Sequence, residues 1–339
     1  MNATDKILLA ETNRTAATAI ARDLKKNGFD VVTAGDTAHV LNLARQDKPD
    51  MVLLNSQLAG SGVAILRRLR SNVYTTHIPV VAMVAAGDAA RAVMMDAGAQ
   101  DCVEQPVSAQ ALLAAIGRHL KQSLDFTQAP AEVLAAPERM AELNETGLLD
   151  SPPQESFDLL TRLTAKLLGA PVALVTLVDK DRQFFKSQTG LAEPWAGARQ
   201  TRLSHSFCQW VVSGKEEVVV SNANNHPTLK NNLAIKDLRV IAYAGVPICG
   251  RSGQAIGSFC VIDSNPRDWS EAELSLLRDL AVVGEACSLP EGANGASKAA
   301  ASAIAVISRL LRTHRARLDA AEQDALLDLS EKQAARISA

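Results

Sequence analysis

Several polar side chains that could do chemistry close apolar runs of this chain. Glu11-Thr12 follows the run Lys6 to Ala10, and Asn55 ends the run Met51-Val52-Leu53-Leu54. A carboxylate such as Glu11 can hold a hard cation, although such ions ordinarily gather more than one. An amide such as Asn55 carries no charge and is a far poorer nucleophile than a carboxylate. Further on, His205 and Cys208 lie three apart, a spacing that on one helical turn would aim both at a metal or haem. Two ligands are too few for a closed zinc site and no third stands nearby, so no metal is expected.

The five cysteines, Cys102, Cys208, Cys249, Cys260 and Cys287, are scattered and form no Cys-x-x-Cys pair. That pattern favours reduced, core-packed thiols over a disulfide framework. Cys249 and Cys260 fall on neighbouring strand-like runs, but a reactive thiol needs a lowered pKa, which an apolar strand disfavours. His314, in Arg312-Thr313-His314-Arg315, is followed by a basic residue where a phosphotransfer histidine carries an acidic one; it reads as a solvated or seam histidine.

The elements that must position these groups alternate regularly at first. Apolar runs at Lys6–Ala10, Phe29–Ala34, Met51–Leu54, Pro79–Val84 and Asp101–Val103 are separated by segments of helical periodicity ending in Gly28, Gly98 and Leu120. Five β-then-α units in about 120 residues predict a doubly wound parallel five-stranded sheet, with chemistry at the carboxyl ends of its strands. Residues 122–137, with Pro130 and Pro137, read as a linker. Residues 138–289 then show helix, short β-rich runs, helix, more strands and a closing helix, the pattern of an α+β domain with an antiparallel sheet. Residues 290–297 read as a second linker and 298–339 as a helical tail.

The first region resembles the response-regulator receiver domain, on Lys6-Ile7-Leu8-Leu9-Ala10, Pro49-Asp50-Met51-Val52-Leu53-Leu54, Ile78-Pro79-Val80-Val81-Ala82-Met83 and Ala97-Gly98-Ala99-Gln100-Asp101. The resemblance implies an acidic pair after strand one, a phosphate-accepting aspartate after strand three, a Thr or Ser after strand four and a Lys-Pro after strand five. Those positions hold Glu11-Thr12, Asn55, Val84 and Gln105-Pro106, and Cys102 stands where the family carries a movable aromatic. Four departures in one frame predict a degenerate, non-phosphorylatable pseudo-receiver.

The second region resembles a GAF sensory domain, on Gly147-Leu148-Leu149-Asp150-Ser151-Pro152-Pro153, Leu177-Val178-Asp179-Lys180-Asp181-Arg182-Gln183-Phe184-Phe185-Lys186-Ser187, Leu203-Ser204-His205-Ser206-Phe207-Cys208, Ala242-Tyr243-Ala244-Gly245-Val246-Pro247 and Gly257-Ser258-Phe259-Cys260-Val261-Ile262-Asp263. The resemblance implies a cavity between the sheet and crossing helices, without fixing an occupant. Phe185, His205, Phe207, Cys208, Trp210, Tyr243 and Cys260 are its candidate lining; ordinary core packing is the alternative for each.

In the tail, Ile304, Ile307, Leu311, Leu318, Ala321 and Ala325 fall near a seven-residue repeat, consistent with a short coiled coil or with a helix folded back on the GAF domain. A formal charge of −2 over 339 residues argues against an extended nucleic-acid surface, and no run has the span of a membrane helix. No helix-turn-helix, Walker loop, cyclase, phosphodiesterase or phosphatase signature is present. The expectation is a cytoplasmic bacterial two-component-type regulator without enzymatic activity or resident cofactor. It would act through a protein partner, with a homodimer through the GAF domain and tail as a further expectation and ligand or thiol sensing as alternatives.

Overall fold

The computed structural model describes residues 5–58, 61–120, 127–290 and 295–338, and the chain divides into two compact units, 1–126 and 127–339. Parts of both expected linkers, residues 122–126 and 291–294, lie outside the described residues.

The first unit runs β1 (Lys6–Ala10), α1 (Arg14–Lys26), β2 (Asp30–Ala34), α2 (Thr37–Gln46) and β3 (Met51–Asn55). It continues through α3 (Gly62–Ser71), β4 (Val80–Val84), α4 (Asp88–Asp96), β5 (Asp101–Glu104) and α5 (Ala109–His119). The strands form one parallel sheet in the order β2-β1-β3-β4-β5. Every residue of β3 and β4 is buried, as expected of central strands covered on both faces. Val40, Ile65, Leu66 and Met94 of α2 to α4 cover one face, and Ala17, Leu24, Leu112 and Ile116 of α1 and α5 the other.

The strand order reverses between β1 and β3, which opens a crevice at their carboxyl ends. Their register pairs Ala10 with Leu54, so Glu11 and Asn55 are the next residues on adjacent strands. At the other end of the sheet, Arg70 of α3 is buried and donates to the carbonyls of Gly98, Thr76 and Ile78 at 2.9–3.0 Å and to Gln100 Oε1 at 2.8 Å. Burial lowers its pKa to about 10, and it remains a cation.

The second unit begins earlier than the expected domain start at residue 138. Ala129 N–H donates to Gln209 Oε1, and α6 (Ala131–Leu134) and α7 (Pro137–Glu145) already belong to this unit. The buried Arg139 fixes α7 by donating to the carbonyls of Leu134 and Val178 at 2.7 Å. Next come α8 (Glu155–Leu168), β6 (Val172–Val178), β7 (Arg182–Thr189), α9 (Trp195–Ala198), β8 (Gln200–Arg202), α10 (Cys208–Gly214) and β9 (Val218–Val220). The unit closes with α11 (Leu233–Asp237), β10 (Ala242–Cys249), β11 (Ala255–Asp263), α12 (Glu271–Ser288), α13 (Ala296–Thr313) and α14 (Ala320–Ser338).

Its six strands form an antiparallel sheet in the order β8-β7-β6-β11-β10-β9. One face packs Val175, Leu177, Phe184, Phe259 and Val261 against α8 and α12. The tail is a helical pair folded onto this layer rather than a free coiled coil. Ala303, Ile307, Leu310, Leu326 and Leu329 join the same core, and Lys166 of α8 pairs with Glu322 at 2.6 Å. Arg315–Arg317 form a 3-10 turn between α13 and α14, and that turn breaks the seven-residue repeat.

Replacing Arg70 by Ala leaves three buried carbonyls without their charged donor. We expect it to lower the stability of the first unit by on the order of 3 kcal/mol in urea unfolding followed by far-UV circular dichroism.

Candidate functional site

The crevice between β1 and β3 is closed by a chain of hydrogen bonds. Asn55 is 8% exposed, and its Nδ2 donates to Glu11 Oε2 at 2.7 Å, while its Oδ1 accepts from Gln57 N–H at 2.9 Å. The chemistry fixes the amide's orientation, because the carboxylate requires a donor and the backbone N–H an acceptor. Glu11 Oε1 accepts from Asn13 N–H at 2.8 Å, and Asn13 Oδ1 in turn caps α1 by accepting from Thr15 and Ala16 N–H. The amide thus supplies Glu11 with the donor that a bound cation would otherwise supply as positive charge. Gly62 opens α3 hard against this corner, where a Cβ would sit 2.7 Å from Ser56 Cα.

The other expected positions surround this pair with groups that do not bind a phosphoryl oxygen ionically. Val84 ends β4 fully buried, and its carbonyl accepts from Gln105 N–H at 2.8 Å. Gln105 is half-buried and uncharged, and Thr12 is exposed. Cys102 lies within β5, paired with Ala82 in the apolar layer, rather than at the carboxyl end of the strand. Burial pushes its thiol pKa up.

In the second unit, strand register places Phe185, Tyr243 and Cys260 on the sheet face opposite α8 and α12. Cys208, the first residue of α10, meets them there. Its Sγ lies 3.8 Å from Cys260 Sγ and accepts from Tyr243 Oη at 3.4 Å. Tyr243 Oη also lies 3.2 Å from Ser258 Oγ, and the Tyr243 ring sits 5.4 Å from that of Phe207. Gly245 permits this, since a Cβ there would collide with the Tyr243 phenol. Trp210 is buried on α10, and its indole N–H has no acceptor among the described residues.

His205 does not join this group. Leu203–His205 form a 3-10 turn, Ser206 is extended, and the α-helix starts only at Cys208, so the two residues never share a helical turn. The His205 ring instead lies against Trp195 and bonds Asp237 Oδ2 at 3.0 Å and Ser204 Oγ at 3.0 Å. Among the described residues no group of three or more His, Cys, Asp or Glu could hold a metal.

Sequence reading missed Ser258 as a partner of the Tyr243 hydroxyl, and Lys186, which is wholly shielded in β7. A lysine amid Gln183-Phe184-Phe185-Lys186-Ser187 was the available signal, because lysine is seldom fully buried.

Asn55→Asp would set two carboxylates about 2.7 Å apart in a shielded corner. One of them would hold its proton to higher pH in the folded state than in the unfolded chain. The folded state then binds more protons, so stability falls as pH rises through that range. We expect the melting temperature of the variant to drop relative to wild type between pH 5 and pH 8, with little difference at pH 5.

The response regulator receiver domain model matches residues 7–117, and the GAF domain model matches residues 152–283. A cyclic di-GMP phosphodiesterase of Pseudomonas aeruginosa is 31% identical over 145 residues, 42% of this chain and 24% of the relative; the chain therefore spans about a quarter of that protein. The sensory transduction protein RegX3 of Mycolicibacterium smegmatis is 32% identical over 167 residues, 46% of this chain and 72% of the relative. Among solved structures, the activated N-terminal receiver domain of RstA from Klebsiella pneumoniae is 28% identical, with 35% of this chain and all of that chain covered at a TM-score of 0.32. Among the described residues, no helix is long and apolar enough to cross a membrane. The chain belongs to the response-regulator receiver family and joins that domain to a GAF domain, the organisation of a two-component-type signalling protein.

Proposed function

We propose that the chain is a non-enzymatic regulator whose receiver unit takes no phosphate and docks a protein partner, while its GAF unit senses a small ligand or dimerises. The observation that carries this reading is the 2.7 Å bond from the Asn55 amide to Glu11. It occupies the acidic group with a neutral donor and leaves no carboxylate nucleophile at the end of β3. Val84 and Gln105 remove, in addition, the hydroxyl and the ammonium that would steady a phosphoryl group. In this reading the surface around Asn55, Val84 and Gln105 is a fixed docking face for another signalling protein. A groove of about 1120 Å³ beside Glu11 is lined by Arg14, Arg22, Lys25 and Lys26 of α1, which supports a partner with an acidic surface. Because α13 and α14 cover the GAF core, self-association through the tail would use the outer side of α14, where Leu327 and Ile337 are exposed.

A second reading, a thiol redox sensor, is favoured by the 3.8 Å approach of Cys208 and Cys260. A hydroperoxide could oxidise the two thiols to a disulfide, leaving water and an alcohol. Burial opposes this by pushing the Cys260 thiol pKa well up.

With acetyl phosphate and Mg²⁺, neither wild type nor Asn55→Asp should gain a phosphoryl group by intact mass spectrometry. Uptake by either would sink the docking reading in its present form. For the redox reading, peroxide should remove a pair of titratable thiols from wild type and not from Cys208→Ser, whereas an unchanged thiol count in wild type would dismiss it.

A further inference from the structure

The sheet face that carries α8 also borders a cleft of about 550 Å³, within the size range of small-molecule sites. Asp158 and Arg162 of α8, Lys186 of β7, and Leu191 and Arg199 of the segment that follows line it. Its lining includes Phe185 of β7 but none of Cys208, Tyr243 and Cys260.

Lys186 forms part of the wall of this cleft, shielded from solvent, and is placed there by an irregularity in the sheet. Val175 of β6 pairs with Ser187 and Thr176 with Phe185, so Lys186 is the extra residue of a β-bulge. Bulges re-aim the side chain they insert and are over-represented beside functional sites. Here the Nζ turns toward α8, 5.6 Å from the centre of the Phe157 ring, and donates to Ser151 Oγ at 2.5 Å and to the Pro152 carbonyl at 2.7 Å. Arg199 lies over the Phe184 ring at 4.9 Å and donates to the carbonyls of Ser151 and Lys186 at 3.1 and 3.2 Å.

All four of these acceptors are neutral oxygens. Asp158, the carboxylate of the cleft, accepts from Ser187 Oγ at 2.6 Å, and Arg162 pairs with Glu155 at the rim. Burial, and then the charge of Arg199, bring the Lys186 ammonium down to about 8. Asp158 acts on Lys186, and Asp150 on the half-buried Arg199, through space, but the hydrogen bonds of both cations go to neutral oxygens, and one dianion between them would be held by both. A phosphate monoester carries about that charge near neutral pH.

We propose that this cleft binds a small phosphate-bearing metabolite, with the phosphoryl group against Arg199 and the shielded Lys186 ammonium turning from Ser151 and Pro152 to meet it. The assignment is independent of the docking reading of the first unit.

Pyridoxal 5′-phosphate tests it on the full chain, since it presents a phosphate to the arginines and an aldehyde to the amine. The neutral Lys186 amine adds to the aldehyde carbon and water leaves, giving an imine. Borohydride then delivers hydride to that carbon and solvent protonates the nitrogen, which fixes a secondary amine for peptide mapping. We expect one dominant adduct, at Lys186, with labelling cut about tenfold by excess inorganic phosphate and reduced to a similar extent in Arg199→Gln. Labelling spread over exposed lysines such as Lys166 and Lys180, an adduct at Lys186 indifferent to phosphate, or no adduct there would overturn the assignment. If Arg199→Gln lowers the melting temperature, phosphate protection of the wild type decides the matter alone.

Discussion

The bond between the Asn55 amide and the Glu11 carboxylate ties together β1 and β3, the two strands between which the strand order reverses. Everything at that end of the first unit follows from it. Glu11 is held from the other side by Asn13, which caps α1, and Asn55 holds the start of the β3–α3 turn through Gln57. A divalent cation in this corner would need converging carboxylates and would bring mobile waters and exchange. An amide supplies neutral hydrogen bonds to Glu11 and from Gln57, and in the proposed reading these hold the corner in one arrangement instead of two. A switch requires two states with different affinity for a ligand, and in the proposed reading this corner offers no such differential contact to a phosphoryl group.

The second unit divides its tasks between the faces of one sheet. The face toward α8, α12 and the tail is a broad apolar core that also anchors α13 and α14. The opposite face joins two thiols, a phenol and a hydroxyl in one buried cluster under α10. Buried polar clusters of this kind hold one arrangement when their hydrogen bonds are satisfied.

Much of this was legible in the sequence, and the residues show why. The five apolar runs of the first unit marked its strands and a parallel sheet, because a buried strand tolerates little else, and the run ending at Leu54 placed Asn55 at the end of β3. Long strands such as β10 and β11 and the capped helix α12 were equally plain. Less visible was whatever depends on irregular backbone. The strand β8 is three residues, Gln200-Thr201-Arg202, without an apolar pattern. The 3-10 turn at Leu203–His205 separates His205 from Cys208 despite their helical spacing. The bulge at Lys186 hides a buried lysine within an otherwise ordinary strand. In the tail the heptad spacing was real, but tertiary burial against α8 and α12 took up those side chains within the unit.

The central claim is that the receiver corner is held in one state by Asn55 and Glu11 and does not respond to a phosphoryl group. The most direct measurement is a ¹H–¹⁵N correlation spectrum of the full chain titrated with beryllofluoride and Mg²⁺, read at the backbone amides of Asn13 and Gln57 and the side-chain amide of Asn55. Unmoved resonances throughout are the predicted result. A saturable shift of these amides that spreads into α4 and β5 would contradict the account.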